Sequence, residues 1–242
     1  MMKKEQMARI NKYLAQCGVC SRREADKLIE RGVVTINGEK AVSGMLVSEK
    51  DTVAVYGKTL VGAEKKVVLA YYKPTGVVCT ERDKHAKYTV SDQVKYPIRL
   101  TYAGRLDKDS EGLLIMTNDG ELIDAMMRGA NRHEKEYIAK VDKPLTEEIL
   151  NKLRAGVYLK ELNQTTRECE VEQVGPYTMK MILTQGLNRQ IRRMCREVGY
   201  EVRILKRTRV MTVNLANLKP GEYRELSEQE RQELYSACGL KA

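Results

Sequence analysis

The sequence of 242 residues contains no tryptophan and no phenylalanine, so its thirteen tyrosines are its only large aromatic side chains. Its longest apolar run, residues 67–72, is far shorter than the roughly 20 residues of a membrane-spanning helix. The first residues also lack the apolar stretch of a signal peptide, and we expect a cytoplasmic protein without a membrane partner. Six cysteines in a chain of this length exclude a disulfide scaffold, and a reducing compartment would keep them as free thiols.

Positive charge is in excess, at +10, and is concentrated in two regions. Residues 185–210 carry eight basic and two acidic side chains, and residues 1–62 carry eleven basic and seven acidic ones. Two separated basic regions favour a polyanion that is held at two places, with nucleic acid as the first candidate. A solvated basic surface without a partner is the alternative that charge alone leaves open.

The first 60 residues have the pattern of a small α+β domain. Apolar residues recur with helical spacing from Ile10 to Cys17, and Ser21-Arg-Arg-Glu24 is a capping box that begins a second helix. Asn37-Gly38, between two short β patterns, predicts a hairpin. The polar segment 57–66 is interpreted as a linker, which gives two domains, residues 1–60 and 67–242.

Residues 67–242 show long strand patterns with few intervening helices. This pattern predicts an α+β domain with a central, mainly antiparallel sheet flanked by helices. The predicted strands are 67–72, 100–104, 112–117, 136–142, 166–173, 177–184 and 201–213. The predicted helices are 119–128, 146–155, 187–198 and a C-terminal helix that begins with the capping box Ser227-Glu-Gln-Glu230.

The predicted helix 187–198 has an apolar face, from Ile191 to Val198, and an opposite face that carries four arginines. The two faces have identical spacing and are offset by two positions, or about 200° around the axis. We call Arg189, Arg192, Arg193 and Arg196 the arginine stripe. Like charges repel, so RNA phosphates, a buried carboxylate or both should compensate them. A stripe that merely faces solvent is the alternative.

A polar segment bracketed by glycines, Gly104-Arg-Leu-Asp-Lys-Asp-Ser-Glu-Gly112, precedes an apolar strand. Loops at strand ends commonly present reacting groups. Asp107 and Asp109 lie two positions apart, which does not by itself make a catalytic acid–base pair. From spacing alone, an aspartate that shapes a turn is the favoured interpretation.

The first domain resembles the small RNA-binding domain named after small-subunit ribosomal protein four. The matching segments are Arg9-Ile-Asn-Lys-Tyr-Leu-Ala, Cys20-Ser-Arg-Arg-Glu-Ala-Asp-Lys-Leu-Ile and Gly32-x-Val-x-Ile-Asn-Gly. The resemblance implies that the two helices and the hairpin form a basic surface that faces RNA. Basic side chains in the first turn of a helix, next to exposed N–H groups, suit a phosphate. We therefore predict RNA contacts, rather than solvated charges, at Arg9, Lys12, Arg22 and Arg23.

The second domain resembles the RNA pseudouridine synthases, in the branch that acts on ribosomal RNA. The matching motifs, in the family's order, are Tyr72-Lys-Pro-x-Gly76, Gly104-Arg-Leu-Asp-x-Asp-Ser-x-Gly-Leu113, Lys135-Glu-Tyr-Ile-Ala-Lys-Val141 and Leu183-Thr-Gln-Gly-Leu-Asn-Arg-Gln-Ile-Arg-Arg-Met-Cys195. Residues 185–195, followed by Arg207-Thr-Arg-Val-Met211, are most similar to the F subgroup among the synthases that modify 23S RNA. The resemblance covers essentially the whole chain. It implies isomerisation of a uridine within RNA, with no cofactor and no metal ion.

The resemblance also assigns roles to single residues. Asp107 matches the catalytic aspartate, Tyr137 the active-site tyrosine that stacks on uracil, and Arg192 the motif arginine. We expect Arg192 to pair with Asp107, because a carboxylate enclosed by protein stays ionised only beside a fixed cation. Attack on carbon six of the base, attack on the anomeric carbon and removal of the 2′ proton are three open routes for Asp107. Further RNA contacts are predicted at Lys73, Arg105, Arg189, Arg193 and Arg196.

The expected partner is a structured stem–loop or bulge of ribosomal RNA, with a 23S site as the first candidate, because extruding a base costs least outside a continuous duplex. We expect the protein to act as a monomer. One alternative is a non-catalytic RNA-binding protein of ribosome assembly, and another is the same chemistry on transfer RNA or 16S RNA. A hydrolase that uses Asp107 and Asp109 would leave the arginine stripe unexplained.

Overall fold

A computed structural model describes residues 7–62, 64–80, 88–128, 130 and 132–241. The chain divides into two units, the first comprising residues 1–66 with 97–99 and the second residues 67–96 with 100–242. Ala63 of the predicted linker and the first six residues of the predicted first domain lie outside the described residues. Within the described ranges, no helix is long and apolar enough to cross a membrane.

The described residues form helices and strands with the following bounds. The helices are α1 (Ile10–Gln16), α2 (Arg22–Glu30), α3 (Val90–Gln93), α4 (Gly120–Met127), α5 (Glu147–Arg154), α6 (Gln190–Glu197) and α7 (Glu228–Ala237). The strands are β1 (Ala8–Arg9), β2 (Val34–Ile36), β3 (Glu39–Lys40), β4 (Leu46–Val47), β5 (Val53–Val55), β6 (Lys58–Thr59), β7 (Val68–Lys73), β8 (Thr101–Ala103), β9 (Glu111–Thr117), β10 (Lys135–Val141), β11 (Tyr158–Leu159), β12 (Gln164–Thr165), β13 (Glu170–Gly175), β14 (Thr178–Leu183), β15 (Val202–Val210), β16 (Val213–Asn214) and β17 (Tyr223–Glu225).

The first unit packs two helices against a small antiparallel sheet of order β3-β2-β5-β6. α1 ends before Gly18, whose φ is +71°, and α2 begins at Ser21 with the predicted capping box. Asn37 and Gly38 join β2 to β3 with φ angles of 52° and 89°, so the predicted hairpin is confirmed. The core of this unit includes Ile10, Leu14, Ala25, Ile29 and Val34.

A nine-stranded sheet forms the centre of the second unit. Its strand order is β13-β14-β10-β15-β9-β7-β17, with β16 paired to β15 and β8 paired to β9. The strands pair antiparallel except for β9 and β15, which pair in parallel and join the two halves of the sheet. The predicted α+β fold with a mainly antiparallel sheet is therefore confirmed.

Separate helices cover the two halves of this sheet. α4 and α7 contribute to a core with β7 and β9 that includes Leu113, Leu122 and Leu234. α5 and α6 contribute to a core with β10 and β14 that includes Leu150, Met181 and Met194. Burial of Ile191, Met194 and Cys195 confirms the apolar face predicted for α6 and leaves its other face to the arginine stripe.

The structure differs from the prediction where strands are short or polar. The strand predicted at 166–173 is displaced to β13, because the hydroxyl of Thr166 accepts a hydrogen bond from the Val157 N–H at 2.9 Å, away from the sheet. The hairpin of β11 and β12, with a 3₁₀ turn at Lys160–Leu162, is absent from the prediction. Two-residue, largely exposed strands leave no alternating pattern to recognise.

Candidate active site

A cavity of about 540 Å³ lies in the second unit. It is lined by the segment before β9, the start of β10, the segment from Leu183 into α6, and β15. Among the described residues, its acidic lining consists of Asp107 alone. Its basic lining consists of Arg105, Lys108, Arg128, Lys135, Arg189 and Arg207. The size suits a small ligand or one nucleotide of a larger one, and the charge favours an anionic ligand.

Strand register places three residues of the site in one row across the sheet. Arg207 of β15 lies opposite Gly112 of β9 and opposite Tyr137 of β10. Residues opposite each other in register project from the same face, so Arg207 and Tyr137 line the same cavity. Gly112 has a φ of +109°, and a Cβ there would lie 2.2 Å from the Arg207 carbonyl oxygen. Only glycine permits this approach of β9 to β15.

Residues that follow β7 hold the segment carrying Asp107, which we call the aspartate loop (residues 104–110). The Gly76 N–H donates to the carbonyl oxygen of Lys108 at 2.7 Å. The Leu106 N–H donates to Sγ of Cys79 at 3.4 Å. Burial raises the pKa of the Cys79 thiol, so the sulfur is neutral near pH 7 and suits this weak acceptor role. The aspartate loop is therefore fixed by its backbone.

Lys73 is fully buried at the end of β7, so the predicted contact with RNA is wrong. Its Nζ donates to the carbonyl oxygens of Pro74 and Val77 at 2.8 and 2.9 Å. These bonds shape the turn that presents Gly76 to the aspartate loop. Burial lowers the pKa of Lys73 from 10.5 to about 8. The residue supports the loop from inside the protein.

Arg192 holds the aspartate loop from the side of α6. Its Nη2 donates to the Asp109 carbonyl oxygen at 2.8 Å and its Nη1 to the Val202 carbonyl oxygen at 2.9 Å. Its Nε lies 3.5 Å from Oδ2 of Asp109, whereas the ion pair within 4.0 Å of Asp107 is made by Arg189. The predicted pairing of Arg192 with Asp107 is therefore wrong, because backbone carbonyls and Asp109 take up its guanidinium. Arg192 also lies outside the cavity lining.

Arg189 is the guanidinium that approaches Asp107, with 3.8 Å between Nη1 and Oδ2. Its Nη1 and Nη2 donate to the two carboxylate oxygens of Asp109 at 2.9 and 2.7 Å. These hydrogen bonds lower the pKa of Asp109 and raise that of Arg189. Arg189 precedes α6 with a φ of +51°, an uncommon conformation for a residue with a long side chain. The structure thus places Arg189 inside the site.

Carboxylates of the chain itself compensate the arginine stripe. Asp109 lies beside Arg189 and Arg192, and Glu161 forms ion pairs with Arg193 and Arg196. Both carboxylates are about half-exposed. They are therefore not the buried carboxylate that we considered because of the repulsion among the four arginines. Glu161 lies in the hairpin of β11 and β12, and no local pattern predicted its approach to α6.

Lys135 and Arg207 are two of the four basic residues of the cavity lining that had no predicted role; the others are Lys108 and Arg128. Arg207 is 2% exposed, and its Nε donates to the Leu113 carbonyl oxygen at 2.7 Å. Its Nη1 donates to the Arg105 carbonyl oxygen at 3.3 Å, so one guanidinium ties the start of the aspartate loop to β9. Burial, with the charge of Arg207, lowers the pKa of Lys135. Lys135 and Arg207 each begin a segment that resembles the synthase family, and this resemblance was the signal in the sequence that could have identified them.

The remaining predicted site residues occupy compatible positions. Tyr137 is half-buried and lines the cavity together with Asp107 and the exposed Arg105. In the first unit, Arg9, Arg22 and Arg23 are exposed and Lys12 is half-buried. Their contacts with RNA stay predictions.

Comparison with known proteins agrees with both resemblances. The family model described as RNA pseudouridylate synthase matches residues 67–197, and that of the S4 domain matches residues 8–53. The dual-specificity RNA pseudouridine synthase RluF of Escherichia coli K12 is 44% identical over 94% of this chain and 78% of its own length. Ribosomal large subunit pseudouridine synthase B of Bacillus subtilis is 36% identical over 93% of this chain and 94% of its own.

A solved structure agrees with these sequence matches. A crystal structure of a pseudouridylate synthase superimposes with a TM-score of 0.69 at 28% identity, over 93% of this chain and 99% of that one. The predicted resemblance to the F subgroup is supported by the similarity to RluF. The chain therefore belongs to the RNA pseudouridylate synthase family, as an enzyme with an S4 domain that isomerises uridine in RNA.

Proposed function

We propose that this enzyme converts a uridine of large-subunit ribosomal RNA into pseudouridine, with Asp107 as the catalytic carboxylate. The observation that carries the proposal is the cavity in which Asp107 is the single acidic residue of the described lining, among six arginines and lysines. The names of the relatives from E. coli and B. subtilis support the reaction, and the latter supports a large-subunit substrate.

The reaction conserves every atom of the uridine. The bond from the ribose C1′ to N1 breaks, the base turns, and a bond from C1′ to C5 forms, while C5 loses a proton and N1 gains one. Asp107 acts on the sugar or the base, and Nη1 of Arg189 lies 3.8 Å from its carboxylate. Tyr137 stacks on the uracil ring, a contact worth about 1–3 kcal/mol.

The RNA must present an extruded uridine, because side chains cannot surround the glycosidic bond of a stacked and paired base. We infer that the target lies in a stem–loop or bulge. Exposed Arg9, Arg22 and Arg23 of the first unit contact the RNA backbone, together with Lys12. The proposal includes action as a monomer in the cytoplasm, where ribosomal RNA is made and assembled.

The replacement Asp107→Asn tests the catalytic role, because it keeps the shape and removes the charge. Pseudouridine formation on ribosomal RNA fragments should fall below detection, while RNA affinity stays within about threefold of wild type. Asp124→Asn, an exposed aspartate on α4 outside the cavity lining, is the matched control and should retain full activity. Retained conversion by Asp107→Asn would remove Asp107 from this role. A wild-type protein that binds RNA without converting it would instead support the non-catalytic alternative.

The name of the E. coli relative, a dual-specificity synthase, favours a second RNA substrate for this chain as well. Transfer RNA and 16S RNA are the candidates. Chemical mapping of pseudouridine in cells with and without the gene, over 23S, 16S and transfer RNA, identifies every site that depends on this enzyme.

A further inference from the structure

Asp109 stands between two guanidinium groups beside the proposed catalytic carboxylate. Its carboxylate accepts both hydrogen bonds of the Arg189 fork and lies 3.5 Å from Nε of Arg192. We propose that Asp109 is a positioning residue that holds Arg189 in a bidentate pair. Asp109 thereby prevents Asp107 from forming such a pair with Arg189 and keeps Asp107 reactive. This inference rests on the proposed function of Asp107.

The geometry makes Asp107 and Asp109 competitors for one cation. Arg189 satisfies both oxygens of Asp109 and leaves its Nη1 at 3.8 Å from Asp107, beyond hydrogen-bond distance. At that separation the guanidinium still attracts the carboxylate of Asp107, but more weakly than in a hydrogen-bonded pair. A bidentate pair with Asp107 would stabilise the carboxylate much more strongly and make it a weaker base and nucleophile.

Asp109 is itself held in place. Its backbone carbonyl oxygen accepts a hydrogen bond from Nη2 of Arg192, which is anchored at Nη1 by Val202 of β15. The next residue, Ser110, is 1% exposed, and its N–H donates to the Asp107 carbonyl oxygen at 3.1 Å. Arg192 therefore fixes Asp109, and Asp109 fixes Arg189. This chain of contacts gives the motif arginine an indirect role in place of the predicted direct one.

Asp109 lies outside the cavity lining, so it acts through Arg189 and not on the RNA. The loss of its charge should release the Arg189 fork toward Asp107, the next carboxylate within 4.0 Å. The loss of this negative charge beside the cavity would also favour RNA binding. The expected signature is a slower reaction without weaker binding.

The test is Asp109→Asn in the full-length protein, with Glu148→Gln as the matched control for an ion-paired acid outside the site. Single-turnover conversion of a ribosomal RNA fragment should slow about tenfold, with an RNA Kd equal to or below that of wild type. The acidic limb of the pH–rate profile should move to lower pH, because a direct guanidinium partner favours the ionised Asp107. Glu148→Gln should match wild type in all three measurements.

A second variant separates this role from a general effect on the loop. In an Arg189→Met background, Asp109→Asn should have no further effect on the rate, because the competing cation is absent. An unchanged rate for Asp109→Asn alone would overturn the proposal. The proposal would also be overturned if Asp109→Asn were slow, bound RNA more weakly and left the pH–rate profile unchanged, because these results together indicate damage to the aspartate loop. Failure of the proposed function itself is recognised separately, through an active Asp107→Asn variant.

Discussion

Replacing Gly112 with alanine tests the close approach of β9 and β15. The added Cβ would lie 2.2 Å from the oxygen, 2.6 Å from the nitrogen and 2.9 Å from the carbonyl carbon of Arg207. All three are backbone atoms of the neighbouring strand, so no side-chain rotation relieves the contact. The residue must also keep a φ of +109°, a region that alanine rarely adopts.

The cost has two parts. Holding alanine at such a φ costs about 1–3 kcal/mol. Moving β9 away from β15 weakens their parallel hydrogen bonds, each worth about 1 kcal/mol. The variant should therefore lose about 3–5 kcal/mol, and in a chain of this size each kcal/mol lowers Tm by about 2–4 °C. A fall of at least about 6 °C follows from the lower ends of these ranges.

Scanning calorimetry measures this shift, and Gly120→Ala provides the control. Gly120 lies in α4 without a positive φ, and a Cβ there meets nothing within 4 Å. Its replacement should leave Tm unchanged or slightly raised. A Gly112→Ala protein with a Tm within about 2 °C of wild type would refute the steric argument, since less than about 1 kcal/mol would then be lost.

Two further predictions concern residues that the structure places unexpectedly. Glu161→Gln should free Arg193 and Arg196 and tighten RNA binding, with kcat unchanged. The slope of log Kd against log salt concentration should steepen by about 1.4–1.8, since two more arginines contact phosphate. An unchanged slope would show that these arginines do not contact phosphate. Lys73 has a pKa of about 8 in the folded chain and its ordinary value of 10.5 in the unfolded chain. At pH values between these two, the unfolded chain binds a proton that the folded chain does not. Wild-type stability should therefore rise relative to Lys73→Met from pH 8 to pH 10 in urea unfolding, and a constant difference would contradict the burial argument.

Features encoded by neighbouring residues were predicted from the sequence. The capping boxes at Ser21 and Ser227 and the turn at Asn37-Gly38 are confirmed, because their hydrogen bonds and φ angles depend on a few adjacent positions. The apolar face of α6 is confirmed for the same reason, since its spacing alone decides which side is buried. The choice of Asp107 and Tyr137 as cavity residues depended on motif resemblance, as spacing alone favoured a turn.

Features that depend on distant packing were mispredicted or missed. Arg192 and the Asp109 carbonyl oxygen are 83 positions apart, and only the folded sheet decides that this guanidinium reaches Asp109 and not Asp107. Lys73 follows the apolar residues of β7, and a contact with RNA was predicted for it. Its burial is possible because two carbonyl oxygens accept its hydrogen bonds, which no sequence pattern shows. The position of Glu161 beside α6 likewise depends on a hairpin too short to recognise.

The single parallel pairing of the sheet has a consequence for the order in which the enzyme becomes active. Arg207 and the Arg105 carbonyl oxygen that it holds are 102 positions apart, and contacts of such separation form late because a long loop must close first. Until β15 docks beside β9, the start of the aspartate loop lacks this anchor. During synthesis, the growing polypeptide therefore stays inactive until most of its length has emerged from the ribosome. Modification of RNA by a new enzyme molecule can begin only when that polypeptide is nearly complete.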